Sequence, residues 1–541
     1  MFFNYFGISS LILLSIPLNA QQRSIDKLGS LLSITGHFSF HQSFNYRTGA
    51  AAVRTPYQYI AQGGIQIQLG KWAIPLQVQY ANAAFTYQQP FNQLGLSPHY
   101  KWITLHGGYR SVQLNTYLLP STTYLGGAIE LTPGKWHVLT VYGRFRKAMP
   151  MDTLTLPQYD RWGGGYKIAF RGSKSQWEQA MLLFKDDTTS HPSDSIPAQA
   201  SLGYSIGIQH KVSTAFQFSV EWAILHYQHN FKSSELEELS KSFPQLIIQS
   251  ASLHQARKIQ WRYNQKKVGI ALVWERIDPG FTSLGAYYFM NDIEKWSCQT
   301  KVSIPTIGGQ VSTELGWQRT NLKQTMGTAT SSFLYQVQAA VKIKKKLQLQ
   351  TTFSNATYYT RLIQRFQTLR LTDTLQMIQV NRAAQVSIQW IMGPSSSGKR
   401  LQFQYSWQQL VSTTGALNSV WTSNLQYQHS GKNQRSTIQC GIQSTSMPHL
   451  STTPYALGPF ISYRWLSASK RWTVSASGTF QGIVDQRSLQ GKLSSTQIQL
   501  QYSPIPPHRF QLSGTQIIAP VSTSDGVYTD WTFQCNYAYQ F

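Results

Sequence analysis

Few acidic residues or histidines in the 541-residue chain fall at spacings that chemistry uses. His37 and His41 are four apart. On a strand that spacing gives one face and a separation of roughly 13 Å, too far for one metal ion. His226 and His229 are three apart, which on a strand means opposite faces. Asp186, Asp187, His191 and Asp194 come nearest to a carboxylate–histidine cluster, set among Thr188, Thr189, Ser190, Ser193 and Ser195. Calcium is the ion such oxygens would take. The plainer reading is an Asp/Ser-rich turn whose side chains bond their own backbone. Gly163-Gly164-Gly165 has no Gly-Lys-Ser or Gly-Lys-Thr after it, so it is not a phosphate loop. G-x-S-x-G and H-E-x-x-H do not occur. Cys298, Cys440 and Cys535 are odd in number and widely spaced, without a C-x-x-C. The expectation is a non-enzyme with no catalytic residues, no metal and no cofactor.

Basic residues carry more information. Lys and Arg number 47 against 21 Asp and Glu, a net charge of +26. Such a balance attracts anions, anionic lipid headgroups or nucleic acid. Nucleic acid is set aside, because the charges lie singly along strand-like segments with no recognition motif. Arg144 and Arg146 fall opposite Val141 and Phe145; Lys342 and Lys344 fall opposite Val341 and Ile343. If the apolar face meets lipid, these four basic residues line a lumen or its rim, since charge at mid-depth on a lipid face is costly. Lys344-Lys345-Lys346 reads as a tight turn at headgroup level.

The elements that hold these residues are strands. Trp531, Phe533, Cys535, Tyr537, Tyr539 and Phe541 alternate with Asp530, Thr532, Gln534, Asn536, Ala538 and Gln540. Alternate side chains of a strand point to opposite faces, so one face is apolar and the other polar or small. Phe216–Ile224, Val337–Ile343, Val386–Trp390, Leu139–Phe145 and Ile498–Tyr502 repeat the rhythm. A helix would need apolar residues near every 3.6 positions. Many segments reach nine residues, the length of a tilted bilayer crossing. Gly- and Pro-bearing turns separate them, at 69–71, 132–135, 278–280, 430–432 and 503–506. In lipid such a meander must close, because an open edge leaves backbone groups unpaired.

The fold class expected is therefore all-β, a transmembrane antiparallel barrel of about 22–26 strands. Segments near 28–45 and 358–375 are weak and leave the count soft. Long loops are expected at 84–101, 147–160, 186–198, 229–249, 359–374 and 444–456. Counting back from Phe541 puts 186–198 and 229–249 at the end opposite the later long loops, which implies a miscounted strand or unusual periplasmic loops. Ser233–Lys241 reads as a short capped helix, with Leu236, Leu239 and Phe243 on one face. Residues 1–20 read as a signal peptide cut before Gln21, although no Lys or Arg precedes Arg23. Residues 21–541 then form one barrel domain, and 21–32 is too short for a separate plug. Charged residues are only 13% of the chain, while 29 Tyr, 26 Phe and 16 Trp exclude disorder.

The stretch Asp278-Pro279-Gly280-Phe281-Thr282-Ser283-Leu284-Gly285-Ala286-Tyr287-Tyr288-Phe289-Met290-Asn291-Asp292 resembles a recurring segment of uncharacterised outer-membrane barrels of the Bacteroidota. So do Pro90-Phe91-Asn92-Gln93 and Ser97-Pro98-His99-Tyr100-Lys101-Trp102. The resemblance implies the barrel and the bacterial outer membrane, and no catalytic residues. It also brings in the protein-export machinery of those bacteria, to which some large barrels belong. In the residues themselves, 284–290 carries apolar groups on both faces, which reads as a strand covered on both sides by an inward-folded loop or a partner.

Two functions follow. One is a pore that passes or binds small anionic or polar solutes, anion-preferring because of its excess charge. The other is a structural or gating subunit of a larger outer-membrane complex such as a protein-export translocon. The partners expected are outer-membrane lipids, including anionic headgroups, and a larger channel or a lipoprotein.

Overall fold

The computed structural model describes residues 32–541, except 50–54, 83–92, 150–156, 191–196, 229–251, 287–290, 324–330, 344–345, 356–379, 393–397, 412–416, 432–434, 447–454, 486–487, 506 and 521–526. The expectations for the signal peptide, the 233–243 helix, the 359–374 loop, His191, Asp194, His229 and Lys344 lie outside the described residues.

Twenty-seven strands, numbered along the chain, make one antiparallel sheet. β1 (Leu32–Thr48) pairs with β27 (Val527–Gln540) from His37↔Gln540 to Thr48↔Thr529, which closes the sheet into a barrel. β4 (Gln93–Leu96) and β5 (His99–Tyr100) both lie between β3 (Trp72–Ala81) and β6 (Ile103–Val112). They are two pieces of one stave, parted at Ser97-Pro98, so the barrel has 26 staves. Closure removes every sheet edge, which is what lets a sheet stand in hydrocarbon. Part of the expected 84–101 loop is thus wall.

The two ends of the barrel differ. Connections at 70–71, 132–135, 172–174 and 265–267 are tight, while those at 113–121, 188–199, 229–251, 278–292 and 321–330 are long and share the other end. Gly70 (φ 57°) and Gly134 (φ 62°) take the left-handed conformation in two of the tight turns, where a Cβ would strain the backbone. Leu32 and Gln540 both sit at the tight-turn end, as an even stave number requires.

This settles the question about 186–198 and 229–249: both belong with the other long connections. The error came from 284–290. Residues 278–286 form no strand but lie in the connection between β14 (Val268–Ile277) and β15 (Ile293–Ile304). One false strand inverts every earlier connection.

Candidate functional site

Period-two alternation gives each stave two faces. One carries large exposed side chains: Phe38, Tyr142, Trp222, Trp296, Trp317, Ile442, Ile461, Ile498 and Leu512 are 41–66% exposed. The other carries Gln, Ser, Thr and the ion pairs Lys167–Glu178 (2.7 Å) and Lys295–Glu314 (2.6 Å). The apolar face is the outward one, because the reverse would bury amides and charges in lipid. Cys298, Cys440 and Cys535 are free thiols on that outward face. A closed barrel belted with aliphatic and aromatic side chains is built to cross a bilayer. The chain is a large antiparallel outer-membrane β-barrel.

Two of the long connections fold into the lumen of this barrel. The first, 113–121, joins β6 to β7 (Thr122–Leu131), and Leu114, Asn115, Tyr117, Leu118 and Leu119 in it are all buried. Asn115 shapes it locally: its Oδ1 accepts from the Tyr117 N–H (2.8 Å) and the Leu118 N–H (3.3 Å). The Leu114 N–H donates to the Leu119 carbonyl (3.1 Å) and closes the turn. The second, 278–286, is turned by Pro279 and Gly280, whose φ of 81° favours glycine. A Cβ on Gly280 would also stand 2.7 Å from the His254 ring. Phe281 is fully buried and meets the Tyr117 ring edge-on at 6.4 Å. The two segments are tied directly, since the Ser283 hydroxyl donates to the Leu118 carbonyl and the Thr122 hydroxyl to that of Gly285.

The wall beneath them is shaped to receive them. Leu139, Val141 and Phe145 of β8 (Trp136–Arg146) share one buried cluster with Leu182 and Phe184 of β10 (Ser175–Asp187) and both segments. Glycines on β9 (Asp160–Arg171) and β11 (Ala200–Lys211) make the room. A Cβ on Gly163 would fall 2.2 Å from the Phe184 ring, and one on Gly203 would fall 2.6 Å from Leu118. The triple glycine that is no phosphate loop is therefore a packing site.

Half-buried carboxylates anchor the first segment. Asn115 Nδ2 donates to Glu221 (2.7 Å) on β12 (Phe216–Gln228), and the Tyr117 hydroxyl donates to Glu275 (2.7 Å) on β14. Lys258 of β13 (Ser252–Asn264) is the cross-strand partner of both Glu221 and Glu275. Burial, then the nearby Glu275 carboxylate, raises the Tyr117 phenol well above its ordinary pKa. It stays protonated and keeps donating. Asp186, 1% exposed, forms a second anchor, with bidentate Arg161 (2.7 and 3.1 Å) and Arg146 (3.1 and 3.2 Å). Arg161 also reaches the Leu284 carbonyl at 3.4 Å. These carboxylates are held by amide, phenol and guanidinium, an arrangement for positioning and not for catalysis. Among the described residues no three His, Cys, Asp or Glu converge as metal ligands.

The residues singled out from sequence divide. Val141 (4% exposed) and Phe145 (3%) face inward, whereas Tyr142 (66%) faces out, so the lipid-side reading of Val141 and Phe145 is corrected. Trp136, Val138 and Tyr142 alternate with Leu139, Val141 and Phe145, so both faces carry large apolar side chains and alternation does not choose between them. Arg144 sits on the outward side beside Asp160 (3.7 Å). A bulge between Arg144 and Arg146 skips one position and returns Arg146 to the interior. Lys342 of β17 (Ser331–Ile343) is inward, in a cleft of about 260 Å³ with Gln310 and Gln348. Asp187 caps its own turn through the Thr189 N–H (3.0 Å). Inward-facing His41 bonds Asn536.

Sequence reading missed Asn115, Tyr117 and Arg161. The signal for the first two was Leu114-Asn115-Thr116-Tyr117-Leu118-Leu119, an apolar run without a charge in what should be a watery loop. Opposite the filled side, the inner wall is mostly neutral amide and hydroxyl through its middle, with Arg400, Arg464 and Arg509 on the same face near the tight-turn end. Gln402 accepts from Gln426 (3.3 Å), Gln428 from Gln439 (3.4 Å), Gln439 from Ser462 (3.4 Å) and Gln534 from Ser513 (3.4 Å).

No family model matches the chain, and no curated protein matches it. Solved structures do. The P pilus usher (PapC) translocation pore is similar over 94% of this chain and 99% of its own, at 10% identity and a TM-score of 0.41. The E. coli P pilus tip assembly intermediate PapC-PapD-PapK-PapG is similar over 93% and 60%, at 10% identity and 0.46. The FrpB iron transporter from Neisseria meningitidis (F3-3 variant) is similar over 95% and 83%, at 9% and 0.38. At these values the likeness is one of barrel architecture alone.

Proposed function

We propose that this barrel is a wide, non-enzymatic subunit of a larger outer-membrane assembly, whose lumen holds or passes a macromolecule. The observation that carries the reading is the stave number. With strands about 4.8 Å apart and tilted about 40°, 26 staves give a wall roughly 50 Å across if circular. Selective small-solute pores are built on about 16–18 strands. A wall this wide calls for an occupant, and the inserted segments supply one on the β6–β15 side. The facing wall is lined through its middle by neutral Gln and Ser, and its inward basic residues, Arg400, Arg464 and Arg509, stand near the tight-turn end. The segment bearing the likeness to Bacteroidota barrels, 278–286, is itself one of the inserted pieces. That supports partners drawn from the export machinery, a larger channel or a lipoprotein.

The test is purification from native membranes in mild detergent, followed by planar-bilayer recording. Stoichiometric recovery of a channel or lipoprotein is the expected result. A lone barrel with steady, strongly anion-selective conductance would overturn the proposal in favour of the small-anion pore.

A further inference from the structure

Arg257, Arg276 and Arg319 lie in one row across the outward face at the long-connection end of the wall. The register runs Trp222↔Arg257, Arg257↔Arg276, Arg276↔Glu294 and Glu294↔Arg319. Arg257 and Arg276 are thus direct cross-strand neighbours of like charge, an arrangement that destabilises a sheet unless something anionic joins them. The carboxylates nearby are largely committed. Glu294 takes Arg319, and also accepts from the Trp274 indole at 3.3 Å. Asp278 approaches Arg276 at 3.6 Å with one oxygen, while its other accepts from the Gln255 N–H (3.0 Å). Arg257 has neutral partners, the Gln255 amide (3.0 Å) and the face of Trp222 (6.0 Å).

Depth is fixed by a second row. Trp274, Trp296 and Trp317 are mutual register partners on the same face, two residues nearer mid-wall, with Trp296 59% and Trp317 53% exposed. Outward tryptophans of a membrane barrel mark the interface, so a row about 7 Å beyond them stands among lipid phosphates. We infer that Arg257, Arg276 and Arg319 form a binding site for the phosphate of a phosphorylated glycolipid in the leaflet at the long-connection end. The guanidinium forks accept phosphate oxygens in pairs, and the tryptophans below take the acyl chains. The site rests on the membrane-spanning reading and not on the proposed assembly, because it is read on the isolated barrel.

The experiment is native mass spectrometry of the delipidated full-length barrel, titrated with a bisphosphorylated glycolipid, its dephosphorylated form, phosphatidylglycerol or inorganic phosphate. The bisphosphorylated glycolipid should bind at least 10-fold more tightly than the dephosphorylated form. The double variant Arg257→Gln/Arg276→Gln should lose roughly 30-fold of that affinity, at about 1 kcal/mol per basic group. Arg262→Gln, on the same strand but facing inward, should leave it unchanged. Equal binding of the dephosphorylated form overturns the site, and this arm needs only the native sequence. Competition by inorganic phosphate at micromolar concentration, or tighter binding of phosphatidylglycerol, overturns the assignment to a glycolipid phosphate.

Discussion

Replacing Phe281 by Ala tests whether the two inserted segments hold each other in place. Phe281 is fully buried between the Tyr117 ring and the inner wall. The two segments that hold it are connections and not staves, so they can shift to refill part of the space. The cost should therefore lie near the lower end for a buried Phe→Ala change, about 3 kcal/mol. It falls on docking and not on the barrel, because no stave loses a ladder bond. At about 1.4 kcal/mol per tenfold, the undocked population rises roughly 150-fold. The Leu119 N–H, bonded to the Asn115 carbonyl at 3.2 Å, reports that opening. Amide hydrogen exchange in peptides covering 113–121 should accelerate by roughly that factor, while Lys399–Val411 on the far wall keeps its protection. Unchanged protection in 113–121 would refute mutual docking. Loss of protection around the whole barrel would refute the claim that the segments are separable from the wall.

Tyr117→Phe leaves the Glu275 carboxylate without its phenol donor and should cost docking about 1–3 kcal/mol, read by the same exchange measurement. Asp186→Asn leaves Arg146 and Arg161 beside a neutral amide in a buried site; the loss, about 3 kcal/mol, should lower the temperature at which the barrel unfolds on semi-native gels. Gly203→Val drives a side chain into Leu118 and should release the 113–121 segment without changing strand content by circular dichroism. In bilayers with a salt gradient, any current should show no more than a mild anion preference, because the inward Arg400, Arg464 and Arg509 stand at one rim of an otherwise neutral facing wall; a strongly anion-selective reversal would contradict this.

The sequence by itself determined the kind of wall. Trp531 through Phe541 alternate with polar residues so regularly that strand, outward face and membrane follow from one periodicity, and the structure pairs that strand with Leu32–Thr48 to close the barrel. It could not determine which face turns inward at Val141, Tyr142 and Phe145, because alternation records a difference between faces and there both carry large apolar side chains. Nor could it separate a doubly covered strand from an inserted loop at 284–290, since apolar residues on both faces suit either one; Leu284 and Gly285 are buried in a connection. Arg144 and Arg146 share a parity in sequence, yet a one-residue bulge sends them to opposite sides of the wall. Glu221, Glu275, Asn115 and Tyr117 are spread over 160 residues and meet only because the barrel brings staves β12 and β14 past the β6–β7 connection. Strand character is a local property of neighbouring side chains; the site is made of partners that only closure of the sheet places within reach of one another.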